Sequence, residues 1–275
     1  MNVVMLTNYS ANQKALASKF HKAFGLKGIV FSKNIPKRKK SLWMRLRVFF
    51  NRIQGRLFGG PYVQAWTGLQ SHYDQNFQYP PAIEELHVNN INDPRTVEFL
   101  KSLNVDLVLV SGTNLVGKAI IEYGKSKNGV LNLHTGISPY IKGGPNCTNW
   151  CLAKNKLEMI GNTVMWIDLG IDTGNIICTE RTPVTGNESL PQLHLKVMEH
   201  AHEIYVRSAQ RIIEGFQAPN VQQNSLAEGD TFNSWEWNGI QMLKGLWNFK
   251  NRFNENHIQN EGFKEKVKAL KLVNF

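Results

Sequence analysis

Short apolar runs of four or five residues alternate with amphipathic stretches through most of the chain, and this alternation restricts the fold more than any other feature. Val3-Val4-Met5-Leu6-Thr7 is the first run and reads as a buried strand. Ser10 follows as an N-cap, Leu16, Phe20, Ala23 and Phe24 recur at helical spacing, Gly25 ends the helix, and Gly28-Ile29-Val30-Phe31 gives a second strand. Strand, helix and strand in that order form the βαβ unit of a nucleotide-binding type of sheet. Asp93-Pro94 then starts a helix reaching about Leu103, with an N-cap and a proline at the first helical position. Residues 106–110 read as the next strand, 115–123 as a helix, 130–134 as the central strand, and 161–167 and 176–180 as two more. A long helical repeat over 188–215 carries Pro191 in its first turn and stops at Gly215. The expected fold class is α/β, a mostly parallel sheet with helices on both faces. It should occupy residues 1–215, with 216–275 as a short C-terminal appendage. Residues 59–92, rich in Gly, Pro, Asn, Gln and aromatics, are expected to be mainly loop with one short strand over 83–88.

The chemistry concentrates between Val130 and Gly174. Strand alternation puts Asn132 and His134 on one face with Leu131 and Leu133 packed behind them. A loop rich in glycine and proline runs from Thr135 to Asn146, suited to a tightly turned backbone beside a ligand. The carboxylate of Asp172 then returns between Gly170 and Gly174. Two hydrogen-bond donors at a strand end can stabilise an oxyanion. A carboxylate folded against His134 would fix its tautomer and accept a proton, so the set suits acyl transfer to an amine without a covalent enzyme intermediate. The loop 111–116 lies at the carboxyl end of a strand, where open α/β sheets place their ligand crevices.

Asn132, His134, Pro139, Gly143 and Asp172 together resemble the formyltransferase family that uses 10-formyltetrahydrofolate. That family's pattern is Asn-x-His, then Pro-x-(Tyr/Phe)-(Arg/Lys)-Gly, then a Gly-x-Asp-x-Gly turn. The match departs at Ile141-Lys142, where only the basic character of Lys142 carries over. The resemblance, weaker outside the motif, extends from the first strand to about Gly215. It implies a Rossmann-like sheet and formyl transfer from 10-formyltetrahydrofolate, with no metal. Asn132, His134 and Asp172 would be catalytic. Ser111, Gly112, Thr113, Asn114, Leu115, Val116 and Asp168 would form the folate site, the pteridine being held largely through the backbone at Asn114 and Val116. Ser10, Asn12, Lys142, Gly143 and Asn146 are expected on the acceptor side. The first loop, Asn8-Tyr9-Ser10-Ala11-Asn12, lacks the glycines of the glycinamide ribonucleotide enzymes. The final 60 or so residues are too few for the β-barrel of a methionyl-tRNA enzyme, and a deformylase's regulatory domain has no room before Met1. The expected acceptor is a small amine, a nucleotide-linked amino sugar first. Glycinamide ribonucleotide transfer and formyltetrahydrofolate hydrolysis are the enzymatic alternatives. A folate-fold binding protein recruited to membrane or nucleic acid is the alternative from another class.

Charge adds a local feature. The formal net charge of the 275 residues is +11, yet residues 36–58 hold eight Lys and Arg and no Asp or Glu, leaving +3 elsewhere. Leu42, Leu46, Phe49, Phe50, Ile53 and Leu57 recur there at helical spacing, so the segment reads as a basic amphipathic helix. The favoured expectation packs its apolar stripe on the sheet with the basic face in solvent. The alternative is an anionic partner: a membrane surface, a diphosphate-bearing substrate or, less favoured, nucleic acid. The appendage, with Trp235, Trp237, Trp247, Phe249 and Phe253 among lysines, is expected to pack on the core, with homodimer pairing or acceptor contact as alternatives. Cys147, Cys151 and Cys178 read as buried thiols, and His194, His200 and His202 as surface histidines lacking metal-ligand spacing. An N-terminus without a signal-peptide pattern makes the cytoplasm the expected compartment.

Overall fold

A central sheet of seven strands dominates the computed structural model, which describes residues 1–35, 42–144, 146–170 and 173–275. The strands in chain order are β1 (Val3–Thr7), β2 (Gly28–Ser32), β3 (Glu84–Val88), β4 (Leu107–Val110), β5 (Val130–His134), β6 (Ile141–Gly143), β7 (Gly161–Trp166), β8 (Ile176–Arg181) and β9 (Asp230–Phe232). The large sheet runs β3-β2-β1-β4-β5-β7-β8, parallel as far as β5 and antiparallel at β7 and β8. Strands β6 and β9 form a separate parallel pair.

The helices are α1 (Ala11–Phe24), α2 (Leu42–Phe58), α3 (Gly60–Asn76), α4 (Pro94–Ser102), α5 (Lys118–Lys125), α6 (Cys147–Ala153), α7 (Leu190–Ile213), α8 (Gly239–Arg252), α9 (Glu255–Gln259) and α10 (Glu261–Lys268). Alternation along β1 sorts the two faces: Val3 and Met5 join Leu16, Phe20, Ile204 and Tyr205 of α1 and α7, while Val4 and Leu6 join Leu100, Ile120 and Ile121 of α4 and α5. Helices therefore cover both sides of the sheet, as expected. Asp93 caps α4 by accepting from the Arg95 amide, and Ser189 closes a capping box with Gln192 at the start of α7.

Three expectations need correction. Residues 60–76 form a full helix, because Tyr62, Ala65, Leu69 and Tyr73 make one buried stripe on α3. Gly68 and the exposed Val63 and Trp66 blur that periodicity in the sequence. Helix α5 begins at Lys118, not at 115: Asn92 accepts from the Gly117 amide and donates to the Leu115 carbonyl, holding the preceding residues in a loop. His194 and His202 are buried in the face of α7, with His202 fully enclosed beside Tyr73. The spacing on α7 that excluded a metal pair also placed these rings inward.

The appendage packs on α6. Trp237, Met242, Phe253 and Phe263 share a core with Trp150, Leu193 and Val197, and Asn248 donates to the Leu152 carbonyl at 2.7 Å. All three cysteines are buried, two on α6 and one in β8.

One side chain sits where β4 and β5 part. The fully buried Tyr205 hydroxyl accepts from the Val110 amide at 2.9 Å and donates to the Leu131 carbonyl at 2.9 Å. It satisfies backbone groups at the strand ends that the ladder leaves, just below the loop at 111–116. Tyr205→Phe should therefore cost about 1–3 kcal/mol, the desolvation penalty of a buried unpaired amide, measured by denaturant unfolding. A loss within experimental error would mean that water or a shift of β4 replaces the hydroxyl.

Candidate active site

Asn132 lies on β5 opposite Met165 of β7 and beside Val110 of β4, at the floor of a cleft of about 140 Å³. One wall is Gly112, Thr113, Asn114, Leu115 and Val116; the other is Asp168, Gly170, Thr173 and Gly174. The structure thus brings most of the expected folate residues around Asn132. Ser111 is buried at the base of the loop, outside the cleft lining. Leu131 and Leu133 point into or against the core on the opposite face, as the alternation requires.

Side chains from the neighbouring strand ends hold the first wall. Asn8 donates to the Gly112 carbonyl at 2.7 Å, and Asn34 donates to the same oxygen at 2.8 Å. Asn34 Oδ1 accepts the Asn114 amide at 3.0 Å, so that donor has a partner within the protein. The Leu115 and Val116 amides have no hydrogen-bond partner among the described residues and remain as donors at the cleft. Asp168 holds the second wall: its Oδ1 accepts from the Gly170 amide at 2.9 Å and from the Thr173 hydroxyl. Asp172 lies outside the described residues.

His134, two residues beyond Asn132, is buried. Its Nε2 stands 3.2 Å from the Ile141 carbonyl oxygen and 3.4 Å from Cys147 Sγ. A carbonyl can only accept, so the first contact places the proton on Nε2. The turn between His134 and Ile141 is tight: a Cβ at Gly136 would stand 2.7 Å from His134 Nε2 and 2.8 Å from Cys147 Cβ. Thr163 on β7 pins the same turn, donating to the Gly136 carbonyl at 2.7 Å and accepting from the Ser138 amide at 2.9 Å. Neither Cys147 nor Thr163 stands out as a site residue in the sequence. A thiol at the start of a helix and a threonine inside a strand carry no signal until the turn packs against them.

The expected acceptor residues separate. Asn146 caps α6 and lines a second, larger groove of about 1060 Å³ with Arg52 and Arg56 of α2, Tyr62 and Trp66 of α3, His194 and Trp237. Lys142 and Gly143 lie on β6, and Lys142 lines a recess with Pro139 and Thr173. Ser10 instead donates to Asn8 Oδ1 at 2.5 Å and so buttresses the first wall of the cleft. Asn12, expected on the acceptor side, is 4% exposed, accepts from Gln70 of α3 at 3.0 Å and faces Met198 of α7. Among the described residues no group of three His, Cys, Asp or Glu side chains is placed to hold a metal.

The motif residues, the cleft and the sheet order agree with a comparison to known families: residues 66–209, just over half of the chain, match the model of the formyl transferase family. The chain belongs to the formyltransferase family. A methionyl-tRNA formyltransferase from Clostridium perfringens is 30% identical over 132 residues, 48% of this chain and 41% of that protein. The chain thus spans about two fifths of the length of such curated relatives. Among solved structures, a sugar N-formyltransferase from Shewanella covers 90% of this chain and 88% of its own at TM-score 0.57 and 11% identity. An N-formyltransferase from Helicobacter canadensis in complex with folinic acid and dTDP-3-aminofucose reaches TM-score 0.56 at 18% identity, over 90% and 81%. Phosphoribosylglycinamide formyltransferase from Anaplasma phagocytophilum reaches 0.52 at 17%, over 78% and 87%. These likenesses are of fold.

Two buried histidines of α7 tie the stability of the fold to pH. Burial holds the His194 imidazole down to about 4, and burial together with Lys19 holds His202 well below its usual range. The unfolded chain takes up these protons near pH 6.5 and the folded chain does not, so stability is full above that pH and declines as pH falls toward 4. His194→Leu should remove its share of that decline, roughly 3 kcal/mol at most, in urea titrations compared at neutral and mildly acidic pH. An unchanged slope would mean that His194 is protonated in the fold.

Proposed function

We propose that the protein transfers the formyl group of 10-formyltetrahydrofolate to a primary amine, and that the acceptor is a nucleotide-linked amino sugar. The observation that carries the reading is Asn132 on the floor of the cleft between the 112–116 loop and the 168–174 turn, with His134 two residues on. The pteridine would sit against Leu115 and Val116, whose amides are available as donors. The acceptor nitrogen attacks the formyl carbon, a tetrahedral oxyanion forms, and the bond to the folate nitrogen breaks. Asn132 Nδ2 donates to the oxyanion. The Nε2 proton of His134 moves from the Ile141 carbonyl to this stronger, charged acceptor. Asp172 takes the proton that the amine loses, and the leaving folate nitrogen receives one in turn.

The acceptor groove supports the choice of substrate class. It begins at Asn146, the residue before Cys147, whose thiol touches His134. Trp66, 43% exposed, offers an aromatic face for a nucleobase, and Arg52 and Arg56 offer guanidinium groups for phosphates. The fold likeness to sugar N-formyltransferases over 90% of the chain points the same way. Incubation with 10-formyltetrahydrofolate and a panel of amines, read by mass spectrometry, tests this. A formyl group gained by a nucleotide-linked amino sugar is the expected outcome. Formylation of glycinamide ribonucleotide or of methionyl-tRNA alone would overturn the acceptor assignment, and release of free formate alone would overturn transfer.

A further inference from the structure

Helix α2 faces the wrong way for a helix packed on a sheet. Trp43, Leu46, Phe50, Ile53 and Leu57, spaced three and four apart, form one apolar stripe, and each is between 40% and 83% exposed. The side turned to the protein is the polar one: Asn51 donates to the Trp235 carbonyl at 3.2 Å, and Gln54 accepts from the Gly239 amide at 2.6 Å. The expectation that the stripe packs on the sheet is therefore corrected. Helix α8, joined to α2 through the Gln54–Gly239 bond, likewise leaves an apolar stripe in solvent. It buries Met242, Gly245 and Asn248 and leaves Ile240, Leu243 and Trp247 between 48% and 62% exposed.

We infer that α2 and α8 form a docking face for an anionic lipid surface, with the apolar stripes entering the headgroup region. Charge selects this occupant. The segment 36–58 holds eight basic and no acidic residues, Arg52 and Arg56 are exposed beside the stripe, and Lys244 lies exposed beside that of α8. Exposed apolar side chains flanked by cations on an amphipathic helix are the composition that binds in the membrane interface. A second copy of the chain is disfavoured, since a two-fold contact would set this basic face against itself. No described helix is long and apolar enough to cross a membrane, so the contact is peripheral.

The test is sedimentation of the full chain with vesicles of phosphatidylcholine, with and without phosphatidylglycerol, at low and moderate salt. Binding should require the anionic lipid and weaken with salt. Trp43→Ser with Phe50→Ser should lower vesicle affinity about tenfold or more, each lost aromatic removing buried apolar area. Both side chains are exposed and outside the acceptor groove, so thermal unfolding and transfer to a dissolved acceptor should stay unchanged. Absence of binding to anionic vesicles, or equal binding by the double variant, would overturn the inference. So would a dimer in solution that the double variant converts to monomer, which would make a second copy the occupant. Vesicle binding and formyl transfer are separate readouts, so the two proposals fail independently.

Discussion

Replacing His134 with Ala is expected to cut the rate of formyl transfer about a hundredfold or more, while the affinity for folate changes little. In the proposed mechanism the Nε2 proton, held at 3.2 Å by the Ile141 carbonyl, is the one donated to the developing oxyanion. Truncation removes that donor and leaves a cavity beside Cys147, so folding is checked separately by thermal unfolding. His134→Gln keeps much of the volume and should unfold near the parent temperature while still losing most of the rate, because the amide, lacking the rigid ring, does not hold a donor where Nε2 stands. Asn132→Ala should behave alike, losing the other donor. Single-turnover assays with both substrates saturating read the chemical step. Near-normal turnover in folded His134→Ala would remove the residue from the mechanism.

Gly143→Ala is expected to cost about 3 kcal/mol or more and to abolish turnover at ordinary temperature. Gly143 has φ of +90°, and a Cβ there would lie 2.0 Å from the Phe232 carbonyl oxygen. Both strain and collision fall on backbone, so rotamer changes cannot relieve them. The residue pairs with Phe232 in the β6–β9 ladder, and Phe232 stacks on Trp150 of α6 at 4.2 Å. Displacing β9 therefore displaces α6, which carries Cys147 against His134 and Asn146 into the groove. Denaturant unfolding measures the loss; stability within about 1 kcal/mol of the parent would show that β9 shifts without consequence.

The parallel sheet was legible because its strands are continuous apolar runs and its helices keep a clean period, as in β1, α1 and β4. Helix α3 was not, since its stripe of Tyr62, Ala65, Leu69 and Tyr73 is interrupted by glycine and by apolar residues that face solvent. Helix α2 was legible as a helix, but its orientation was not: periodicity locates an apolar face without saying what covers it. The short β6–β9 pair depends on a contact between residues almost ninety apart, for which local pattern holds no signal. At the site, Asn132 and His134 follow from strand alternation. The commitment of the Asn114 amide to Asn34, and the contact of Cys147 with His134, depend on where separate strand ends meet. The bond of Asn12 to Gln70 of α3 likewise joins residues far apart in the chain, which no local pattern announces.

In the proposed complex folate occupies the cleft over Asn132 with its formyl group turned toward His134. A crystal structure with 5-formyltetrahydrofolate, which carries the group but does not donate it, tests this most directly. The expected result is a pteridine bonded to the Leu115 and Val116 amides and a formyl oxygen within hydrogen-bond distance of Asn132 Nδ2. A ligand seated in the groove of Tyr62 and Trp237, or a formyl group turned away from β5, would contradict it.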